Sequence, residues 1–307
     1  MVSTLSLGAM RQAVRILGVV VVAIVVLIVV GLVAGNAKLR TTYAVAPEQL
    51  ALSVPIASGN VERGRHIVEA ITGCTECHAA GLKGSAFLDV PPFRIVAPNL
   101  TRGNGGIGAS FSDADFVRAI RYGVAPDGHG LLVMPSKDFT HLSDRDLADV
   151  IAYIKSLPPV DNVLPPTQLR PLGLLMLAVG QLPLPDASVI DQSAPRPSDV
   201  HAAVDVQYGH YLASVAGCMG CHGAGLSGGA IAGLPPGSPT AQNITPAGIG
   251  TWSQADFMRA LRIGRRPDGT TLNTLMPWSD YTRMTDAEIS ALWLYLRSVP
   301  PRATGTH

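Results

Sequence analysis

The sequence predicts an all-α fold: two tandem copies of one helical module, preceded by a single transmembrane helix. Three observations predict it. The pentapeptide C-x-x-C-H occurs at Cys74–His78 and again at Cys218–His222, and the two copies use all four cysteines of the 307-residue chain. The residues around each copy repeat at an offset that stays between 141 and 144. Near the N-terminus, Ile16 to Ala34 is a run of 19 residues without a charge.

The apolar run comes first. At 1.5 Å per residue it is about 28 Å long, close to the thickness of the hydrocarbon layer. A cleaved signal peptide is the alternative, but its apolar region is typically about 7–15 residues. Residues 1–45, with the transmembrane helix at about 16–34, are therefore expected to be an uncleaved anchor. Arg11 and Arg15 precede the run, and Lys38 and Arg40 follow it, so flanking charge orients it only weakly.

The first module is expected over 46–160 and the second over 199–302. Ala97-Pro98-Asn99-Leu100-Thr101 answers Ala241-Gln242-Asn243-Ile244-Thr245, and Ser112-Asp113-Ala114-Asp115-Phe116 answers Ser253-Gln254-Ala255-Asp256-Phe257. Met134-Pro135 answers Met276-Pro277. Short helices are expected over Val61–Thr72 and Asp205–Val215. Ser112 and Ser253 cap twin helices running to about Arg121 and its counterpart, and Ser143 caps a helix that ends at Leu157. Thr285 with Glu288 forms a capping box for the last helix. No strand pattern is apparent. Between the modules, 161–198 reads as a linker; 9 of the 24 prolines fall within 158–200, which rules out one long helix. Its apolar stretch Leu172–Val179 is too short to span a membrane. It is expected to pack over the seam between the modules, or else to dock a membrane partner.

C-x-x-C-H is the attachment signature of c-type haem. Two intervening residues set both sulfurs on one side of a helical turn, within reach of the two vinyl groups of one porphyrin edge. The next residue aims its imidazole at the iron. A zinc site would need two such pairs converging on one metal, whereas these lie 144 residues apart, each with its own histidine. Two covalently bound haem c groups are expected, on Cys74 and Cys77 with His78, and on Cys218 and Cys221 with His222.

Each iron then needs a sixth ligand or an open position. Among the candidates, Met134 and Met276 are the pair that the repeat aligns, 56 and 54 residues past their haem histidines. The following proline biases the methionine backbone toward an extended form, which suits presentation from a loop. Met258 and Met284 align with Val117 and Leu142 and read as core. His129 and His141 have no counterpart in the second module and read as loop residues. His/Met ligation of both irons, by His78 with Met134 and His222 with Met276, is expected; thioether ligation raises the potential and suits electron transfer.

Composition narrows the function further. Net charge is +1, which gives no support for a nucleic-acid partner. Gly and Pro number 32 and 24, so much of the chain is loop. The basic cluster Arg262, Arg265 and Arg266 reads as a solvated face rather than a docking site. Asn99 and Asn243 are expected to shape turns or to bond a haem propionate.

The order C-x-x-C-H, A-x-N-[LI]-T, G-I-G, S-x-A-D-F, D-G, M-P and a capped helix ending in P-P resembles the membrane-anchored multihaem cytochromes c. These include the cytochrome subunits of bacterial alcohol, gluconate and fructose dehydrogenases. The resemblance implies two class I-like cytochrome c domains and an electron-transfer protein or oxidoreductase subunit rather than an enzyme in its own right. It implies single-electron relay from a dehydrogenase or quinol-oxidising complex to a terminal oxidase or soluble cytochrome. A dihaem subunit of a cbb-type oxidase, or a dihaem peroxidase, is the alternative. Because haem is attached to this motif outside the bacterial cytoplasm, the modules are expected in the periplasm, held to the inner membrane by one span.

Overall fold

A computed structural model describes residues 7–231, 233–234 and 237–306. Helix α1, Leu7–Leu39, runs 33 residues, or about 50 Å. From Met10 to Val30 its side chains are exposed on every face, Val19 at 70% and Leu27 at 70%. The stretch Met10–Leu39 is long and apolar enough to cross a membrane. It passes directly into the first module, where the Tyr43 amide donates to the Gly128 carbonyl at 2.8 Å.

In that module α2, Val61–His66, is capped by the Asn60 side chain and continues through a π-helical turn, Ile67–Ile71. The haem motif is itself a short helix, α3, Cys74–His78, entered from Gly73 in the left-handed conformation (φ 61°). There follow β1, Ser85–Val90, and β2, Phe93–Ala97, then α4, Asp113–Tyr122, α5, Ser136–Phe139, and α6, Asp144–Ser156. The expected caps form: Ser112 and Asp115 close a capping box on α4, and Ser143 caps α6. Helices α2 and α6 cross so closely that a β-carbon on Gly64 would stand 1.9 Å from the Asp149 carbonyl oxygen.

The sheet corrects the expectation of a chain without strands. β1 and β2 form an antiparallel hairpin turning at Pro91-Pro92, and β3, Gln168–Leu169, adds to β2. The pairing registers Leu88 with Ile95 and Phe93 with Leu169. Asp89 ties it together, accepting from Arg94 at 3.0 Å and Arg170 at 2.5 Å. The strands are short, the first is bulged and the turn is two prolines, so no run of alternation is long enough to stand out. The fold remains mostly helical.

The linker also departs from expectation. Its apolar stretch forms α7, Pro171–Ala178, which packs on the C-terminal third of α1, not over the seam. Lys38 caps its end, donating to the Leu177 and Ala178 carbonyls at 3.2 and 2.9 Å. The later linker does reach the seam: the Asp144 amide donates to Pro197 and that of Arg145 to Ser198, both at 3.0 Å.

The second module repeats the plan, with no sheet among the described residues: α8, Val206–Val215, α9, Cys218–His222, α10, Pro246–Ile249, α11, Gln254–Ile263, α12, Trp278–Tyr281, and α13, Asp286–Ser298. Capping boxes form at Ser253 with Asp256 and at Thr285 with Glu288. α8 and α13 cross as α2 and α6 do, with Gly209 against the Ala291 carbonyl at 2.0 Å from a built β-carbon.

The two modules meet along a polar seam. Arg63, held at 3.2 Å by Asp146 of its own module, donates across to the Tyr208 hydroxyl at 3.4 Å, and the Tyr211 hydroxyl donates back to Asp146 at 2.6 Å. His66 pairs with buried Glu288 at 2.9 Å. Arg283 donates to the Glu69 carbonyl at 2.7 Å.

Candidate haem-binding sites

Each C-x-x-C-H helix is only five residues long and is preceded by a glycine in the left-handed region, Gly73 or Gly217 (φ 71°). That turn ends the preceding helix and starts the motif at a new angle. All four cysteines are free thiols, each partly buried. Burial pushes the first thiol of each pair up, Cys74 to about 11 and Cys218 to about 12. Thr72 Oγ1 lies 3.2 Å from the Cys74 sulfur.

The histidines carry the clearest signal. His78 Nδ1 lies 2.9 Å from the Pro98 carbonyl oxygen, and His222 Nδ1 lies 2.6 Å from that of Gln242. A carbonyl can only accept, so Nδ1 carries the proton and Nε2 keeps its lone pair, the state a metal requires. Burial lowers the pKa of both rings, which keeps them neutral. Pro98 and Gln242 differ as side chains, yet both serve through the backbone. The difference at this position therefore does not alter the histidine's partner.

The repeated Asn-x-Thr turns are structural. Asn99 Nδ2 donates to Val160 at 2.7 Å and Asn243 Nδ2 to Arg302 at 2.8 Å, in each case to a carbonyl just past the last helix of the module. Each side-chain amide thus ties its turn to the chain that leaves the last helix of its module. Met134 and Met276 lie partly buried on matching loops, packed against the core, each accepting at its carbonyl from the residue two ahead, Ser136 or Trp278, at 2.8 Å. Met284 is core, 1% exposed. His129 pairs with Asp127 at 3.2 Å on a loop, and His141 is exposed. Arg262 bonds Asp286 at 2.7 Å, while Arg265 and Arg266 bond their own turn at Gly269 and Thr270.

One relationship escaped the sequence reading. The helix after each Met-Pro reaches the other module's haem motif. Asp138 Oδ2 would stand 3.0 Å from a β-carbon on Gly217, and Asp280 Oδ2 the same distance from one on Gly73. Both carboxyls are shifted up by burial, Asp138 to about 6 and Asp280 to about 7; the proximity of Glu76 raises the second further. Asp280 Oδ2 is buried without a donor among the described residues. The signal was available: both aspartates stand four residues past a Met that the repeat aligns, and both glycines directly before a motif.

These residues suit covalent haem: paired free thiols on one helical turn, a neutral histidine with Nε2 unspent, and a methionine on a loop of the same module. Residues 61–158 and 206–300 each match the cytochrome c family. The fructose dehydrogenase cytochrome subunit of Gluconobacter japonicus is 31% identical over 264 residues, covering 80% of this chain and 53% of that protein. The chain thus spans about half the length of that relative. A dihaem cytochrome c-type protein of Cereibacter sphaeroides is 31% identical over 271 residues, 79% of this chain and 87% of that protein. The cytochrome c subunit of the quinone-linked alcohol dehydrogenase of Komagataeibacter europaeus is 39% identical over 106 residues, 32% of this chain and 23% of its own. With two matched segments that together cover more than half of its length, the chain belongs to the cytochrome c family, whose members bind haem c covalently.

Proposed function

We propose that the protein is a membrane-anchored dihaem electron carrier. Cys74 and Cys77 hold one haem and Cys218 and Cys221 the other. His78 and Met134 ligate the first iron, and His222 and Met276 the second. α1 crosses the bacterial inner membrane once and the modules stand in the periplasm. Electrons arrive singly from a dehydrogenase or quinol-oxidising complex and leave to a terminal oxidase or soluble cytochrome.

The observation that carries this reading is the pair of Nδ1-to-carbonyl contacts, at His78 and His222, which prepare both imidazoles alike for a metal. When bound, haem supplies a one-electron couple at its iron. The residues of this chain do the rest. The Pro98 and Gln242 carbonyls fix the tautomer and angle of each ring. The Met134 and Met276 loops offer a thioether, which favours the reduced state and leaves no open position for substrate. The polar seam fixes one module against the other, so that distance and orientation between the two centres need not be found at each transfer. Similarity to dehydrogenase cytochrome subunits supports a dehydrogenase as donor.

The test uses the full chain purified in detergent. Haem measured as its pyridine complex, against protein mass, should give two groups per chain. Redox titration should resolve two one-electron couples, and the reduced protein should leave carbon monoxide unbound. One haem per chain, or ready carbon monoxide binding without denaturation, contradicts the reading.

A further inference from the structure

α7 is an unusual linker helix. From Pro171 to Pro185 the chain carries no charged residue. Leu172 is 51% exposed, Val179 72% and Leu184 46%. In water such a stretch is expected to bury its apolar side chains, yet it lies against an anchor that is itself bare.

Its contacts give its depth. A β-carbon on Gly31 of α1 would meet Leu175 Cδ2 at 2.6 Å, and one on Gly35 the Leu174 carbonyl oxygen at 2.1 Å. Only glycine lets the two backbones approach so closely. Lys38 closes the contact at the far end of α7. Between Arg15 and Lys38 the anchor holds 22 residues without a charge, about 33 Å, one bilayer core. With Lys38 at the boundary, Gly31 lies about 10 Å below it along the helix. That is the depth at which apolar segments lodge in the headgroup and acyl boundary.

We propose that residues 171–185 form a second membrane contact, a monotopic segment in the periplasmic leaflet of the bilayer that α1 crosses. The occupant is lipid, because the exposed apolar surface is continuous with the anchor and bears no charge to pair with a protein. The proposal rests on α1 spanning the membrane. Its consequence is orientation. α7 is joined through β3 to the hairpin, and the Gly173 β-carbon position falls 2.3 Å from the Pro92 carbonyl oxygen. The hairpin begins seven residues past His78, so the segment ties the first haem motif to the membrane plane as well as to the end of a single helix.

The experiment is cross-linking of the full holoprotein in lipid nanodiscs containing a phospholipid with a diazirine near the top of its acyl chain, followed by peptide mapping. Cross-links are expected on α1 and on 171–185, with the surface around Leu294 of α13 as background. The variant Leu172→Glu with Val179→Glu should lose those on 171–185, keep those on α1 and keep the haem absorption spectrum. Cross-links on α1 with only background on 171–185 overturn this proposal and leave the anchor standing. Background on both overturns the anchor, and this proposal with it.

Discussion

Asp280, in the second module, lies against Gly73, the residue before the first module's haem motif, with its buried Oδ2 given no donor among the described residues and Glu76 facing it. Burial first, then Glu76, raises its carboxyl from 3.8 to about 7. Folding therefore favours the protonated acid. Its contribution is full below the unfolded value and is eroded as pH rises from 3.8 through about 7. Asp280→Asn should level that slope, with a gain at pH 8 on the order of 1–3 kcal/mol, the cost of an unsatisfied buried polar group. Thermal unfolding of variant and wild type from pH 4 to 8 checks it. Equal slopes contradict it. Asp138→Asn should have the smaller effect, because Gly220 stands where Glu76 does.

Glu288 works in the opposite sense. Burial raises its pKa, but the hydrogen bonds from His66 and the Thr285 amide outweigh burial and bring it below 4.5. A depressed carboxyl stabilises above its unfolded pKa, and that support is lost as pH falls through the folded value. Glu288→Gln should therefore cost stability at pH 6 and above, and the difference from wild type should vanish in acid. Denaturant midpoints across that range read it directly.

The crossings of α2 with α6 and of α8 with α13 depend on glycine. Gly64→Ala and Gly209→Ala each place a β-carbon about 2 Å from a backbone carbonyl, at Asp149 and Ala291. Neither backbone can yield cheaply. Each should cost about 3 kcal/mol or more, at the upper end of overpacking penalties. Gly18→Ala, with nothing within 4 Å, should be neutral. Yield of folded haem protein and its melting temperature rank the three.

Tyr211→Phe removes the hydroxyl that donates to Asp146 at 2.6 Å and accepts from the Ser143 amide at 3.2 Å. Both partners are buried, so the loss should be about 1–3 kcal/mol. Hydrogen exchange should speed at the Ser143 amide while the amides of α13, in the second module, keep their protection.

Much of the site was legible because its chemistry is local. The haem motifs, the caps at Ser112, Ser253 and Thr285, and the Met-Pro pairs depend on residues within a few positions of one another, and duplication presents each twice. What stayed hidden was non-local, including the reciprocal approach of Asp138 to Gly217 and Asp280 to Gly73, which the repeat does contain. The hairpin is bulged and turns on prolines, so it shows no run of alternation. α7 meets α1 across more than 130 residues, through glycines that look like ordinary members of an apolar helix. The seam joins Arg63, Asp146 and Tyr211, which are not counterparts under the repeat, so comparing the copies could not pair them.

The central claim is that two irons are each held by a histidine and a repeat-matched methionine. The most direct measurement is the methionine-to-iron charge-transfer band of the oxidised full chain, in the wild type and in Met134→Ala, Met276→Ala and Met284→Ala. The account predicts that the first two variants each lose about half of the band, since each removes one of two equivalent thioether ligands, and that the third keeps it whole. A band unchanged by Met134→Ala or Met276→Ala, or diminished by Met284→Ala, would contradict it.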